Sequence, residues 1–436
     1  MSTSTLKLMS KTKLWKSLTK RVFTFSPRSQ SRGSKSLSSY SSSSDSLSNL
    51  RKANDSGKEL QLTGIDLISS LPFEICLHIL TYADFMLLVR LMLVSKYWHQ
   101  IASDSEIWKQ LYLDQQWYVR IPPNNPRLDW KYLYQQRSTI EKRWKAGMID
   151  KRLIAGHSDS VYCLKFDGKK IVTGSRDRSV KFWDIDTGKC MMSLTGHCRS
   201  VLCLDYNDEI MVTGSSDTTI IVWDMKTLTS KFRIRGHSAG VLDVCFDKDH
   251  IVSCSKDGTI RVWSIHDGEL IKVLLGHRGP VNAIQLQDNI LVSASGDSIV
   301  KMWDINTGEC IREFVGHTRG LACVQFDGKR VVSGSNDYTI KVWDAQTGRC
   351  LRTLTGHRDL VRTLHLSGKH LVSGSYDQTV KVWDIQTGKC ILDLRNGHSS
   401  WVFDVQFSLT KIISVGQDQK ILVWDVANGV DVSLLE

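Results

Sequence analysis

A Gly-His pair recurs at Gly156-His157, Gly196-His197, Gly236-His237, Gly276-His277, Gly316-His317, Gly356-His357 and Gly397-His398, forty residues apart with one extra residue before the last. Each unit continues with an apolar run, a turn of small residues ending in Asp, and a Trp: Asp177 and Trp183, Asp217 and Trp223, Asp257 and Trp263, Asp297 and Trp303, Asp337 and Trp343, Asp377 and Trp383, Asp418 and Trp424. Seven units in one register demand a repeat architecture, because composition alone does not keep such a phase.

The residue types explain the period. In the first unit Val161 to Phe166, Lys170 to Ser175, Val180 to Trp183 and Cys190 to Leu194 read as four short strands, separated by turns built from Asp, Gly, Ser and Thr. Four strands make one blade, which cannot bury both faces alone, so seven blades stack and close around a channel. Through its Gly-His and Trp-Asp pairs the region resembles the WD40 family over about the last two thirds of the chain, with Ser264 replacing Asp after Trp263. The fold expected is mainly β: a seven-bladed WD40 β-propeller preceded by a small α-helical module and a disordered N-terminal tail. The resemblance implies one hydrogen-bonded set per blade, here His157, Thr173, Asp177 and Trp183 and their equivalents. Seven of the thirteen histidines are thereby structural, since one chemical site would not recur seven times at equal spacing.

With 436 residues there is room for two or three domains. No run of eighteen apolar residues occurs, so no transmembrane segment is expected. Of eleven cysteines, Cys190, Cys310, Cys350 and Cys390 share one repeat position and Cys163, Cys203 and Cys323 another, which points to packing in a reduced compartment, cytoplasm and/or nucleus. The net charge of +12 is uneven, for residues 1–62 hold twelve Lys or Arg against three Asp or Glu. Eighteen of those residues are Ser, so this tail is expected to be disordered. Within it Leu6 to Phe25 suits a membrane-surface helix, a presequence or a solvated basic arm, the arm being preferred. Asp55-Ser56-Gly57 has the form of a phosphorylatable pseudosubstrate, but a chance match of three residues in a Ser-rich tail is the preferred reading.

Residues 63–112 change character to helical spacing. Leu71-Pro72 with Glu74 opens one helix, Asp84 begins a segment running through Leu88, Leu91, Val94 and Trp98, and Asp104 begins a third through Ile107, Trp108 and Leu111. Leu71-Pro72-Phe73-Glu74-Ile75, Val94-Ser95-Lys96-Tyr97-Trp98 and Ile107-Trp108-Lys109-Gln110-Leu111 resemble the F-box motif. That resemblance implies docking on Skp1, and through it on a cullin/RING ligase core, by Leu71, Pro72, Ile75, Leu80, Val94, Trp98, Ile107 and Trp108. Phe85 to Leu93 is more apolar than F-boxes commonly are and suits either a denser partner face or an intramolecular contact. The competing reading is a set of helices that braces the propeller. Residues 113–150 form a linker, with Pro122, Pro123 and Pro126 in its first half and helical character from Leu128 to Lys145. Arg152 to Ile154 is the candidate outer strand of the last blade of the propeller at 151–436, in competition with Asp431 to Leu435.

Function must be argued from the ring's face, because the fold itself carries no chemistry. The fifth residue after each His should point into the channel mouth: Tyr162, Leu202, Leu242, Asn282, Ala322, Arg362 and Phe403. The residues before the turn Asp lie beside them: Arg176, Ser216, Lys256, Gly296, Asn336, Tyr376 and Gln417. These positions vary while the scaffold repeats. Arg176, Lys256, Arg319 and Arg362 gather there with Ser200, Asn282 and Tyr376, donors suited to phosphate. Strings such as Ser293-Ala294-Ser295-Gly296-Asp297 and Leu360-Val361-Arg362 resemble the β-TrCP type of F-box/WD40 protein. The resemblance implies a doubly phosphorylated Asp-Ser-Gly degron, with Tyr162, Arg176, Ser200 and Ser216 on one phosphate and Arg319 and Gly320 on the other. Lys256, Asn282, Arg362 and Tyr376 would hold the Asp and the peptide backbone. Asn336 replaces the family's Ser, and Trp401 its Arg. A non-catalytic adaptor for phosphorylated substrates is expected, without metal, cofactor or nucleic-acid partner. Homodimerisation is compatible with this architecture, although the N-terminal region has no clear counterpart of that family's dimerisation segment. A non-ligase interaction scaffold and a polyanion binder driven by the basic tail are the alternatives.

Overall fold

The computed structural model describes residues 71–115, 117–119 and 128–435. The readings of the basic tail at 1–62 and of Asp55-Ser56-Gly57 lie outside these residues, as does most of the proline-containing connection. The chain divides into a helical unit, which ends at Trp117 and takes in Asp129–Lys131, and a larger β unit.

In the helical unit α1 (Phe73–Leu80) starts directly after Pro72, which has no N–H to leave unpaired. Asp84 caps α2 (Phe85–Leu91), its carboxylate accepting the Leu87 N–H at 2.8 Å. The segment read as one helix from Asp84 to Trp98 is in fact two. Ser95 is extended and its Oγ accepts the Trp98 N–H at 3.3 Å, which starts α3 (Lys96–Ala102). A side-chain oxygen that bonds the backbone two or three residues ahead competes with helix continuation, and apolar periodicity does not register it. Asp104 caps α4 (Ser105–Asp114) through the Glu106 N–H at 2.9 Å. Leu80, Leu88, Leu91, Trp98, Ile101, Ile107 and Trp108 form the interior, where the Trp108 Nε1–H donates to the Ala102 carbonyl at 2.8 Å.

The β unit is seven four-stranded antiparallel sheets. The first blade is β2 (Val161–Phe166), β3 (Lys170–Ser175), β4 (Ser179–Asp184) and β5 (Cys190–Thr195), within a residue of the strands expected. Strands β6 to β25 repeat it through blades two to six, and β26 (Val402–Phe407), β27 (Lys411–Gly416) and β28 (Ile421–Asp425) begin the seventh. The last blade is completed by β1 (Asp150–Ile154), which pairs with β28 in the register Asp150↔Asp425 to Ile154↔Ile421. The competing segment Asp431 to Leu435 forms turns instead. Ile154, Val161, Leu164, Ile171 and Trp183 pack with Ile413, Val415, Ile421 and Val423, so the first and last blades share one apolar core.

Helix α5 (Trp130–Ala146) supplies the helical character expected of the linker. Within the β unit its Arg143 donates to the carbonyls of Val426 at 3.1 Å and Asn428 at 2.6 Å. Trp144 donates to the Leu409 carbonyl at 3.0 Å and stacks on His370. Cys163, Cys203 and Cys323 are buried, in keeping with a packing role. Cys190, Cys310, Cys350 and Cys390 are exposed on the outer strands, so packing does not account for them; each thiol donates to the carbonyl two residues on. No helix among the described residues is long and apolar enough to cross a membrane.

Candidate functional site

Three hydrogen bonds per blade hold the rim in place. In the first, the Trp183 Nε1–H donates to Thr173 Oγ1 at 2.8 Å, Thr173 Oγ1 meets His157 Nε2 at 2.8 Å, and His157 Nδ1 meets Asp177 Oδ2 at 2.7 Å. Trp can only donate, so the Thr hydroxyl proton is free for Nε2 and the His proton sits on Nδ1, facing the carboxylate. All seven expected sets are present, with His to Asp distances of 2.7 to 3.0 Å. The His to Ser or Thr distances are 2.7 to 2.9 Å. Burial works against the Asp177 charge, but hydrogen bonds from Ser179 and His157 win and hold its pKa at about 2. Burial lowers the His157 pKa, which keeps the ring neutral as the relay requires.

The channel mouth is built by a bulge repeated seven times. In every blade the pairing of the innermost strand slips at one residue, and that residue is Tyr162, Leu202, Leu242, Asn282, Ala322, Arg362 or Phe403. A bulged residue leaves the ladder and its side chain is re-aimed. All seven line one cavity of about 310 Å³. The residue before each turn Asp is locked beside the rim by its own N–H, as in Arg176 to the Ser160 carbonyl at 2.9 Å, Ser216 to Ser200 at 3.0 Å, and Tyr376 to Leu360 at 3.0 Å.

The candidate side chains differ in readiness. Arg362 donates to the Ala322 carbonyl at 3.2 Å and Asn282 to the Leu321 carbonyl at 2.6 Å, so both are held at the channel wall. Arg176 is exposed and faces Asp159 at 3.6 Å, an acid that offsets part of its charge. Arg319 lies over the Tyr338 ring at 5.8 Å, and Lys256 is exposed. Gly320 sits where a Cβ would come within 3.0 Å of the Gly296 carbonyl oxygen, so only glycine keeps these two loops this close. Tyr162 and Tyr376 are half-buried in an aromatic group with Phe403 and Trp401.

On the helical unit the candidate contact residues fall into two sets. Pro72, Ile75 and Val94 are exposed and Leu71 is half-buried, whereas Leu80, Trp98, Ile107 and Trp108 are interior and support the surface from behind. Met86, Val89 and Leu93 add exposed apolar area while Leu88 and Leu91 turn inwards, which divides the apolar Phe85 to Leu93 stretch between the surface and the unit's own core.

Comparison with known proteins matches the family described as WD domain, G-beta repeat at residues 150–184, 188–224, 228–264, 268–304, 308–344, 348–384 and 388–425. The chain belongs to the WD-repeat family. An F-box-like match covers residues 68–114, the helical unit. Among curated proteins, the F-box/WD repeat-containing protein 7 of Drosophila melanogaster is 36% identical over 142 residues, 30% of this chain and 11% of that protein. The probable E3 ubiquitin ligase complex SCF subunit sconB of Arthroderma benhamiae is 29% identical over 167 residues, 30% of this chain and 25% of that one. An F-box protein of Saccharomyces cerevisiae is 29% identical over 158 residues, with the same coverage. The chain thus spans a quarter or less of these relatives. Among solved structures the computationally designed Ika8 protein matches with a TM-score of 0.54 and 32% identity, covering 63% of this chain and all of that one.

Sequence reasoning missed part of the WD-repeat channel. Below the bulges, Lys165 pairs with Asp205 at 3.2 Å, and Asp404 accepts the Leu164 N–H at 2.9 Å and the Thr363 hydroxyl at 2.8 Å. Asp243 accepts the Ile284 N–H at 2.9 Å, and burial pushes its pKa up to about 7. The innermost strands are sheet edges whose unpaired N–H groups need acceptors, and side chains of the preceding blade supply them. The signal available was their recurrence one and three residues after the bulge, which varies too much between blades to be read as a motif. Among the described residues no group of three or more His, Cys, Asp or Glu is placed to hold a metal ion.

Proposed function

We propose that this chain is a substrate-receptor subunit of an SCF-type ubiquitin ligase: the F-box-like unit docks on Skp1 and the propeller mouth takes phosphorylated peptides. The observation that carries the reading is one chain holding both an F-box-like unit with an exposed apolar face and a ring whose mouth is lined by Arg362 and Asn282 and rimmed by further cations. Apolar area of this kind gains by covering, and Ile75, Leu93 and Val94 are among its exposed members. At the mouth Arg176, Arg319, Lys256 and Arg362 supply cations, and Ser200, Ser216, Asn282, Tyr162 and Tyr376 fixed polar groups. A phosphoserine brings about −1.5 to −2 charges and three acceptor oxygens. Each charge-assisted hydrogen bond contributes roughly 1.5 to 3 kcal/mol, so two or three separate modified from unmodified peptide by a hundredfold or more. The chain forms no covalent bond with ubiquitin in this scheme; it holds the substrate where the ligase core can reach it.

The test is co-purification with Skp1 and binding of a doubly phosphorylated Asp-Ser-Gly peptide against its unmodified twin, in wild type and Arg362→Ala. Skp1 should co-purify, and only the phosphopeptide should bind, with at least a tenfold loss in Arg362→Ala. Equal binding of the two peptides would remove the degron reading and leave the ligase role. Failure to bind Skp1 would favour an interaction scaffold.

A further inference from the structure

The seventh blade breaks the pattern of the rim. At the third position after the Gly-His histidine the first six blades carry Ser160, Ser200, Gly240, Pro280, Gly320 and Leu360, whereas the seventh carries Trp401. The Trp401 ring stacks on Tyr376 with centroids 4.4 Å apart and planes 5° apart. Phe403 meets both edge-on, at 6.4 Å from Trp401 and 6.0 Å from Tyr376, and Tyr162 tilts against Phe403 at 4.9 Å. Four aromatic rings from the first, sixth and seventh blades therefore form one surface. Tyr162 and Phe403 line the cavity beside Arg362, and Trp401 lies at the outer end, 42% exposed even with Tyr376 behind it.

We propose that this surface is a specificity shelf that takes an aromatic side chain of the bound peptide, close in sequence to the anionic residue held at Arg362. The inference rests on the phosphopeptide reading for its anchor and adds a second determinant to it. Three observations point to this occupant. The shelf is continuous with the cationic mouth, so a peptide anchored there passes over it. The rings are held in advance: the Trp401 carbonyl accepts the Gln417 N–H at 2.9 Å, and the Tyr376 N–H donates to Leu360 at 3.0 Å. A surface already ordered loses little conformational entropy on binding. Burial raises the pKa of the Tyr376 hydroxyl, and the Arg362 charge opposes it by more than the Asp359 carboxylate adds to it, so the net field there disfavours a cationic guest that bare ring faces would otherwise attract. A neutral planar side chain meets no such penalty and gains stacking on the indole.

The experiment is fluorescence polarisation with the full chain and two peptide series, one doubly phosphorylated and one unmodified, built on the Asp-Ser-Gly core. Phe, Leu, Gly or Arg is placed in turn at each of three positions on either side of the core. The proteins are wild type, Trp401→Ala, and Trp401→Phe, which keeps a ring if the alanine variant folds poorly. At one flanking position wild type should favour Phe over Gly by about 3- to 10-fold, the range expected of an aromatic pair. Arg should rank last. Trp401→Ala should abolish the preference, and Trp401→Phe should keep part of it. Phosphate-dependent binding without any Phe preference, or a preference unchanged in Trp401→Ala, overturns the shelf and leaves the phosphopeptide reading standing. A Phe preference that needs Trp401 but not phosphate sinks that reading and leaves the shelf. If no peptide of either series binds, both are overturned.

Discussion

The repeated polar set explains how a seven-bladed ring tolerates so much variation at its mouth. Asp337 shows the economy of the arrangement: its Oδ2 accepts from His317 and from the Thr318 N–H, and its Oδ1 from the Thr339 N–H and hydroxyl. Burial alone would raise its pKa, yet the bonds from Thr339 and His317 hold it at about 2. A carboxylate whose folded pKa lies below its unfolded value stabilises the fold fully above about pH 3.8, and this contribution is lost as pH falls through 2. Asp337→Asn keeps the size but turns an NH₂ group towards two donors. The substitution should therefore cost about 2 to 4 kcal/mol near neutrality. In urea unfolding the gap between wild type and variant should stay constant from pH 8 down to about 4 and narrow below it, as the carboxylate of the unfolded wild type takes up a proton before the folded one does. A gap that widens on acidification would contradict the relay as drawn.

At the scale of elements two features decide the shape of the ring. One is the bulge in each innermost strand, which lifts one residue out of the ladder seven times and makes the same backbone present Arg362 in one blade and Ala322 in another. The other is β1, a strand taken from before the first Gly-His and added to the last blade. Without it β28, whose Ile421, Leu422, Val423 and Trp424 are buried, would become the blade's outer edge and lose that cover. Ile154, 3% exposed, carries β1 into the core shared by the first and last blades. Ile154→Ala should destabilise the β unit by about 2 to 5 kcal/mol, the usual range for deleting a buried aliphatic side chain. Truncation after Asp431 should cost less, since Val432 to Leu435 form turns outside the sheet and only Leu435 among them is buried. Thermal unfolding of the two variants decides between β1 and the C-terminal segment as the closure.

For the whole molecule, charge is the property that separates a specific receptor from a general polyanion binder. Residues 1–62 carry +9 of the chain's +12, so all the rest, mouth included, is close to balance. Near balance over residues 63–436 with cations gathered at one mouth favours local recognition over long-range attraction, because screening at physiological salt acts within about 8 Å. Removing residues 1–62 should leave the affinity ratio between phosphorylated and unmodified peptide within about twofold, while weakening non-specific binding to polyanions at low salt. If the deletion abolished peptide discrimination, the tail and not the mouth would be the binding element. The measurement is polarisation at about 0.05 and 0.2 M salt on the full and shortened chains.

Much of this molecule was legible from its sequence because the information was repeated. Seven copies of His, Asp and Trp in one register determined the blade and the blade count, since each copy must solve the same burial problem, and the hydrogen-bonded set followed from the WD40 resemblance those copies carry. The inward-pointing positions were legible for the same reason: a position that varies while its neighbours repeat is released from the scaffold. The F-box-like unit was legible as helices, but its break at Ser95 was not, since a single capping hydroxyl outweighed an unbroken apolar period. What had to wait for the tertiary structure were relations between residues far apart in the chain. Asp159 faces Arg176 across a turn, Gln406 and Asp404 serve the first blade from the last, and Trp401 lies flat on Tyr376 from the neighbouring blade. The Asp404 bond has a counterpart in Asp243 and the Ile284 N–H, but the residue type changes from blade to blade, and the Trp401 stack belongs to one pair of blades, so no regular periodicity marks them. The Asp404 and Gln406 contacts exist because ring closure brings blade seven against blade one, and the pairing of β1 with β28 that closes the ring is itself a long-range choice between two segments of similar local character.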